Sequence, residues 1–339
     1  MTLLINGDSH HFRFRKTWSV PVFVLFSLLA LSFAALAQSA KVYRIGFLET
    51  RSVSANRPNL DAFLRGLKEA GYVEGRNLVI DYRSADGRSD RFEELARDLV
   101  RAKPDVIVTR GTPAALAARD AGSVPVIMVA IADPVAAKVA ASLARPGGHV
   151  TGFTTIVGEL HGKRLELIKE LLPSVKRIGH FVNPVNPNAN VQGEEVQRRA
   201  LSLGLEARLF EAKNAETLNR ALEATVAQGV GALLLSVEGL MLANQATIID
   251  FTARHKIAVM YSAREFVEAG GLISYGVHYP DLYYRAASYV AKVIKGARPG
   301  DLPIEQPSRF ELVINVKTAK ALGIQIPRHM LLLADELIQ

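Results

Sequence analysis

Short apolar segments alternate with amphipathic ones along the first half of the chain. Segments such as 106–109 are almost continuously apolar, which is typical of strands buried on both faces of a parallel sheet. Segments such as 90–101 instead place Phe92, Leu95 and Leu99 on one helical face. The pattern predicts strands at 42–48, 78–82, 106–109 and 126–131, and helices at 58–70, at 90–101 and from 112 and 133 onward. Strands and helices that alternate through short connections predict an α/β fold.

The same alternation starts again in the second half. Strands are predicted at 178–182, 205–210, 232–237 and 258–262, and helices at 189–203, 215–228 and 241–255. The strand at 78 precedes the strand at 106 by 28 residues, and the strand at 205 precedes the strand at 232 by 27 residues. We therefore predict two doubly wound parallel-sheet, Rossmann-like lobes rather than one large sheet.

The last quarter of the chain does not build a third lobe. Its predicted elements are strands at 271–277 and 310–315 and helices at 282–295 and 317–322. They fit a chain that crosses between the lobes near 151–155, 274–278 and 303–309, which predicts a three-crossing hinge. The expected domains are an N-terminal lobe of 41–153 plus 277–303, a C-terminal lobe of 154–276 plus 304–327, and a C-terminal tail of 328–339.

The N-terminus reads as an export signal. A basic segment at 10–16 precedes an apolar segment at 20–35, and Ala35-Leu36-Ala37 is a small-residue cleavage motif. We expect residues 1–37 to be a signal peptide cleaved after Ala37, which predicts a periplasmic protein. A retained membrane anchor is the alternative, and the short apolar segment disfavours it.

Composition narrows the function classes. The net charge of +8 falls to +6 without the leader, and the remaining charge is scattered, so nucleic-acid binding is not expected. The chain has no Cys, which excludes disulfides and lipid attachment through a Cys. No phosphate-binding, metalloprotease or nucleophile-elbow motif occurs, and the histidines share no ligand spacing. We therefore predict no catalytic residue, no metal and no cofactor.

The predicted strand ends supply the candidate ligand site. Ligands of doubly wound folds bind outside the carboxyl ends of the strands. At one such end, Gly111 precedes a helix that opens at Thr112-Pro113, and a helix start with a neutral cap attracts anions. The alternative is a plain strand-to-helix turn. Asp133 would place its own charge at the next helix start. The candidate ligand-binding residues are Glu49, Thr50, Ser52, Arg110, Gly111, Thr112, Pro113, Asp133, Asn183, Glu238, Tyr261 and Tyr275.

Several motifs carry a family resemblance over about residues 43–327. They are Gly66-Leu-Lys-Glu-Ala-Gly-Tyr-Val-Glu-Gly-Arg-Asn77, Pro104-Asp-Val-Ile-Val with Gly111-Thr-Pro-Ala114, Asp133-Pro-Val135, Arg145-Pro-Gly-Gly-His-Val-Thr-Gly152, Leu165-Glu-Leu-Ile-Lys-Glu-Leu-Leu-Pro173, Tyr275-Gly276 and Phe310-Glu-Leu-Val-Ile-Asn315. In order and spacing they resemble the ABC transporter substrate-binding proteins that include tryptophan- and tyrosine-binding members. The resemblance implies a type I periplasmic binding protein fold.

The resemblance also implies roles for particular residues. Gly111 and Thr112 would hold a ligand carboxylate, and an acidic residue at the second-lobe strand end would meet an ammonium. Here Val237-Glu238 stands where relatives often carry Thr-Asp, which puts an α-amino acid ligand in question. Arg110 replaces a smaller neutral residue, and it would either bind an extra carboxylate or point to solvent.

These observations predict the solute-binding component of an ABC importer rather than an enzyme. We expect it to bind a small carboxylate-bearing solute, an amino acid or an aromatic or other organic acid, between the lobes. It would deliver that solute to an ABC permease in the inner membrane, and we expect a monomer. The alternatives are a periplasmic sensor for a signalling partner and, last, an exported α/β enzyme.

Overall fold

A computed structural model describes residues 41–339 except Val237, and the side chains of Val157 and Gly158 are also outside the description. The predicted signal peptide and its cleavage site after Ala37 lie outside the described residues. Residues Val42–Gln339 form one compact unit. None of the helices in the described part is long and apolar enough to cross a membrane.

The first lobe is built on a five-stranded parallel sheet with the order β2-β1-β3-β4-β5. Its strands are β1 (Tyr43–Glu49), β2 (Leu78–Ser84), β3 (Val106–Arg110), β4 (Val126–Ile131) and β5 (Val150–Thr154). Its helices are α1 (Arg57–Glu69), α2 (Phe92–Arg101) and α3 (Thr112–Ala121), with a short 3₁₀ turn at Ser89–Arg91. Every residue of β3 and β4 is buried, as their apolar sequences predict.

The second lobe is built on a seven-stranded sheet with the order β12-β11-β10-β9-β8-β6-β7. Its strands are β6 (Arg177–Val182), β7 (Glu206–Glu211), β8 (Ala232–Leu235), β9 (Ala258–Tyr261), β10 (Ile273–Val277), β11 (Phe310–Asn315) and β12 (Glu336–Ile338). Strand β11 runs antiparallel to β10, and the other pairs are parallel. The architecture is thus the predicted α/β fold with two lobes.

The remaining helices cover the second sheet or connect the two sheets. They are α4 (Val157–Leu171), α5 (Ala189–Ser202), α6 (Ala215–Ala227), α7 (Gly239–Ala243), α8 (Gln245–Arg254), α9 (Arg264–Glu268), α10 (Tyr279–Ile294), α11 (Val316–Leu322) and α12 (Arg328–Leu333), with a 3₁₀ turn at Pro299–Asp301.

The chain passes between the two sheets three times. It leaves the first sheet after β5, and it returns through α10, which packs against α1 of the first lobe. Gly66 of α1 permits this packing, because an added Cβ would lie 2.7 Å from the carbonyl oxygen of Tyr284. Glu305 then bridges Phe153 of β5 before the chain enters β11 in the second sheet. The passages fall close to the predicted crossing positions.

Three of the segments that differ from the sequence-based expectation have a local explanation or a clear place in the fold. The helix expected from Asp133 is replaced by turns, because the Asp133 carboxylate accepts from the amides of Val135 (3.0 Å) and Ala136 (2.9 Å), and Lys138 has a positive φ of 54°. The helix expected at 241–255 breaks at Asn244, whose side chain donates to the carbonyl of Leu240 (2.8 Å). The expected tail instead forms α12 and β12, and β12 extends the second sheet.

Candidate ligand-binding cleft

A cleft lies between the two sheets, where the strand order of each sheet reverses. In the first sheet the reversal lies between β1 and β3, and Thr50 and Arg110 to Pro113 follow those strands into the cleft. In the second sheet it lies between β6 and β8, which are followed by Asn183 and Ser236. Such switch points are the usual ligand positions of doubly wound sheets.

The N-terminus of α3 faces the cleft, and no side chain in the described part of the chain caps it. The cap residue is Gly111, with Thr112 and Pro113 in the first turn, so the predicted Thr112 cap is displaced by one residue. Gly111 has a φ of +84°, and an added Cβ would meet nothing within 4 Å. The first-turn amides of Thr112 and Ala114 have no partner within the helix. This helix end is therefore open to an anionic group.

Glu238 lies across the cleft at the end of β8 and lines it. Its carboxylate accepts a hydrogen bond of 2.6 Å from Nδ2 of Asn186. Burial raises the pKa of Glu238 to about 7, while hydrogen bonds from Asn186 and Asn183 act in the opposite direction. Nearby, Nδ2 of Asn188 donates to Oγ1 of Thr112 across the lobes (3.4 Å). The second lobe thus places an ionisable acceptor close to the α3 terminus.

Arg110 is buried in the wall of the cleft, so it does not point to solvent. Its Nη2 lies 3.1 Å from Oε1 of Glu265 in α9, and its guanidinium carbon lies 4.0 Å from the ring centroid of Tyr279. Nη1 of Arg51 lies 3.5 Å from the same Glu265 oxygen. Burial alone would lower the pKa of Arg110, but Glu265, Tyr283, Tyr279 and Glu49 together outweigh burial, so the pKa is raised. Arg110 therefore has a counter-ion within the protein.

Glu49 lies behind this wall. Its carboxylate accepts from the hydroxyl of Tyr283 and from the amide of Thr50 (3.3 Å). Burial raises the pKa of Glu49, and the Arg110 charge opposes that effect. Glu49 is fully buried and lies outside the cleft lining, whereas its neighbour Thr50 lies within it.

Arg164 is a cleft residue that the sequence interpretation missed. It lies on α4 with an exposure of only 3%, and its Nε donates to the backbone carbonyl of Tyr275 (2.6 Å). Within the described part of the chain, no Asp or Glu oxygen lies within 4.0 Å of its guanidinium. Burial lowers the pKa of Arg164 to about 10. The sequence does contain a signal that Arg164 is buried: it lies four residues from both Leu160 and Ile168, and so falls on the apolar face of α4.

His161 and Ser236 form a second missed pair. Nε2 of His161 lies 3.2 Å from Oγ of Ser236, and Nδ1 of His161 is buried without a partner among the residues that the structure describes. Burial lowers the pKa of His161 well below its usual value, so the ring is neutral. A buried lone pair costs less than a buried N–H without an acceptor, so Nε2 carries the proton and donates to Ser236. Ser236 then has its own O–H to offer to the cleft.

Besides Glu49, four more sequence-predicted residues lie outside the cleft lining. Ser52 is exposed and accepts from the amide of Ala55 (3.3 Å), and Asp133 is exposed in its turn. Tyr261 is buried against Phe266 with ring centroids 4.7 Å apart, and Tyr275 stacks on Phe310 at 6.5 Å. The aromatic wall comes instead from Tyr279, at the start of α10.

The lobes meet closely at the rim of the cleft. An added Cβ on Gly87 of the first lobe would lie 2.2 Å from Cβ of Ala243 in α7, and one on Gly239 would lie 2.9 Å from Cγ2 of Thr50. Contacts of this kind leave no room for even a methyl group. The described residues contain no group of three His, Asp or Glu arranged to hold a metal. The two lobes are therefore in direct contact at this rim.

The chain matches the family model described as "ABC transporter substrate binding protein" over residues 45–338. It is 30% identical over 273 residues to the tyrosine-binding protein of Clostridioides difficile strain R20291, covering 79% of this chain and 78% of that protein.

Two solved structures are similar to this chain over both lobes. One is the ABC domain in complex with L-Trp from Streptococcus pneumonia, with 30% identity, a TM-score of 0.80 and coverage of 88% of this chain and 100% of that chain. The other is the ligand-free, open structure of a substrate binding protein from Clostridium difficile, with 25% identity, the same coverages and a TM-score of 0.63. This chain therefore resembles the ligand-bound structure more than the open one.

Proposed function

The chain belongs to the ABC transporter substrate binding protein family, and we propose that it is the periplasmic receptor of an importer for a small carboxylate-bearing solute. The observation that carries the proposal is the open N-terminus of α3 facing Glu238 across one cleft. A carboxylate at the helix end and an ammonium at Glu238 would complement this pair. An amino acid carries both groups.

The carboxylate would be held by backbone amides rather than by a side chain. The amides of Thr112 and Ala114 lack helical partners, and hydrogen bonds to a charged group contribute roughly 1.5–3 kcal/mol each. The helix dipole adds roughly 0.3–1 kcal/mol or more in a partly buried place. Asp133 fills the corresponding position in its own turn, so an incoming anion would prefer Thr112.

The rest of the solute would lie along the apolar part of the cleft. Phe92, Leu160, Leu242 and Val277 line it together with the Tyr279 ring. Such a wall suits an aliphatic or aromatic side chain, which agrees with the tyrosine and tryptophan named for the similar proteins.

Delivery to a membrane permease would use the opening of the three-crossing hinge. The close contact of Gly87 with Ala243 defines the closed form, and closure over a ligand is the usual motion of two such lobes. We propose that the mature chain begins after Ala37, acts as a monomer and performs no chemistry on its solute. Binding alone is sufficient for this role.

The test is a thermal-shift screen of residues 38–339 with amino acids and other organic acids. We expect a carboxylate-bearing compound to raise Tm, and Thr112→Asp to remove that shift, because the new carboxylate would occupy the helix end. Thr112→Asn is the neutral control of equal size and should keep most of the shift. A Tm increase with a solute that lacks any acidic group, unchanged by Thr112→Asp, would contradict the ligand class.

A further inference from the structure

Arg164 differs from the other arginines that lie in or near the cleft. Arg51 and Arg110 both approach Glu265, and the partly buried Arg264 contacts Glu311 at 2.8 Å. Within residues 41–339 as described, Arg164 has no carboxylate within 4.0 Å. A buried guanidinium without a counter-ion is unfavourable. The buried guanidinium of Arg164 in the ligand cleft is therefore one half of a charge pair whose anionic half the described residues do not supply.

A second polar group next to Arg164 also lacks a partner. Ser262 follows β9, is 4% exposed and lines the cleft, and its Oγ makes no hydrogen bond with any described residue. Gly276 shows that Arg164 and Ser262 are neighbours. A Cβ on Gly276 would lie 3.6 Å from Nη2 of Arg164 and 2.0 Å from the carbonyl oxygen of Ser262. Guanidinium and hydroxyl donors together suit an anionic oxygen group.

The elements that hold this pair differ from those around the α3 terminus. Thr112 and Glu238 are connected through Asn188 and Asn186, which belong to the loop before α5. Arg164 instead contacts the backbone of Tyr275, on β10.

Leu160 of α4 and Val277 of β10 also line the cleft. The cleft therefore offers two groups of polar residues and an apolar wall.

We propose that Arg164 and Ser262 form a second anion subsite, so that the solute carries a second acidic group besides its first carboxylate. This inference rests on the proposed function, since it takes the α3 terminus as the first subsite. The solute class is then an amino acid with an acidic side chain or a related dicarboxylate. A bidentate pair between guanidinium and carboxylate would complete the charge balance of Arg164.

The test compares acids that differ only in the second carboxylate. Suitable pairs are L-norvaline with L-glutamate, L-norleucine with L-2-aminoadipate, and L-phenylalanine with 4-carboxy-L-phenylalanine. Each would be titrated by calorimetry into residues 38–339. The variants are Arg164→Gln, Arg164→Lys and Ser262→Ala. Lys163→Gln is the matched control, because it removes a cation from the exposed side of the same helix.

We expect at least one diacid to bind about tenfold or more tightly than its monoacid. Arg164→Gln should remove that advantage and leave the monoacid within about twofold, whereas Arg164→Lys should keep part of it. Ser262→Ala should weaken the diacid by about threefold to tenfold, and Lys163→Gln should change neither acid. The Tm of each variant shows whether it is folded.

Other outcomes would overturn the inference in distinguishable ways. If monoacids bind and no diacid binds more tightly, the second subsite is wrong while the proposed function stands. If Arg164→Gln weakens both members of a pair equally, Arg164 holds the first carboxylate and there is one anion subsite. If no acid of either kind binds, the proposed ligand class fails and the inference fails with it.

Discussion

Two arginines in the cleft walls show how different the same buried residue is in two environments. Arg110, from the first lobe, is paired with Glu265 of the second lobe and lies on the Tyr279 ring. Arg164, within the second lobe, has the Tyr275 carbonyl as its hydrogen-bond acceptor and no nearby carboxylate among the described residues. The pKa of Arg110 is raised and that of Arg164 is lowered. The first arginine therefore connects the lobes, and the second is left for a ligand.

The largest effect should come from breaking the Arg110 pair. Arg110→Met leaves Glu265 buried without its main counter-ion, and losing one partner of a buried pair costs about 3–5 kcal/mol. Urea unfolding of the ligand-free protein measures the loss. Glu265→Gln should be similarly destabilising. The double variant should recover part of the loss, and a strictly additive double variant would show that the pair is not coupled.

The second prediction separates the effect of lobe closure from the effects of the Arg110 and Arg164 contacts. Gly87→Ala places a methyl group against Ala243 and should disfavour the closed form by about 1–3 kcal/mol, which lowers solute affinity about fivefold to a hundredfold. Because Arg110 and Glu265 lie in different lobes, their pair should be strained while the Arg164 contact within one lobe is kept. Calorimetry measures the affinity.

The matched control for closure is Gly75→Ala. Gly75 has a φ of +79°, close to the +77° of Gly87, but its added Cβ meets nothing within 4 Å. The control therefore carries the same backbone strain without the contact between lobes. Equal loss of affinity in both variants would contradict the role of Gly87 in closure.

The third effect concerns the acid that faces the first subsite. Because the pKa of Glu238 is about 7, it is mostly ionised at pH 8 and mostly protonated at pH 6. An ammonium-bearing solute should then bind about tenfold more weakly at pH 6 than at pH 8, since binding to the carboxylate requires loss of its proton. Glu238→Gln should bind weakly at both values. A pH-independent affinity in the wild-type protein would remove Glu238 from the site.

The smallest effect is on the ligand-free stability of Arg164 variants. Removing an uncompensated charge should be neutral or stabilising by up to about 1 kcal/mol, although the bond to the Tyr275 carbonyl is weakened. Thermal unfolding of Arg164→Gln should therefore show a Tm equal to wild type or about 2–4 °C higher. A loss as large as that of Arg110→Met would mean that Arg164 has a structural partner and is not held for a ligand.

Much of the fold was predictable because its strands are buried on both faces. Such strands appear as continuous apolar segments, as in β3 and β4, and their alternation with helices gave the two lobes. The turns after Asp133 and the edge strand β12 were missed. In the first case a side chain competes with helix formation, and in the second the pairing involves a strand distant in sequence.

The site was predictable only to the level of strand ends. That rule located Thr50, the Arg110–Pro113 turn, Asn183 and Glu238, which all line the cleft. The strand-end rule does not say which of two adjacent residues faces the cleft, because successive side chains point to opposite faces. Tyr261 was therefore predicted as a site residue, but it is buried in the core and the adjacent Ser262 lines the cleft. The partner of Arg110 lies 155 residues away in sequence, and no local pattern reveals it. The ligand contacts of these residues stay predictions.

A crystal structure of residues 38–339 with the tightest-binding diacid tests the central claim most directly. The account predicts one carboxylate on the amides of Thr112 and Ala114 and the other within about 3 Å of the Arg164 guanidinium. A diacid whose second carboxylate points to solvent, with Arg164 bound only to the Tyr275 carbonyl and water, would contradict it.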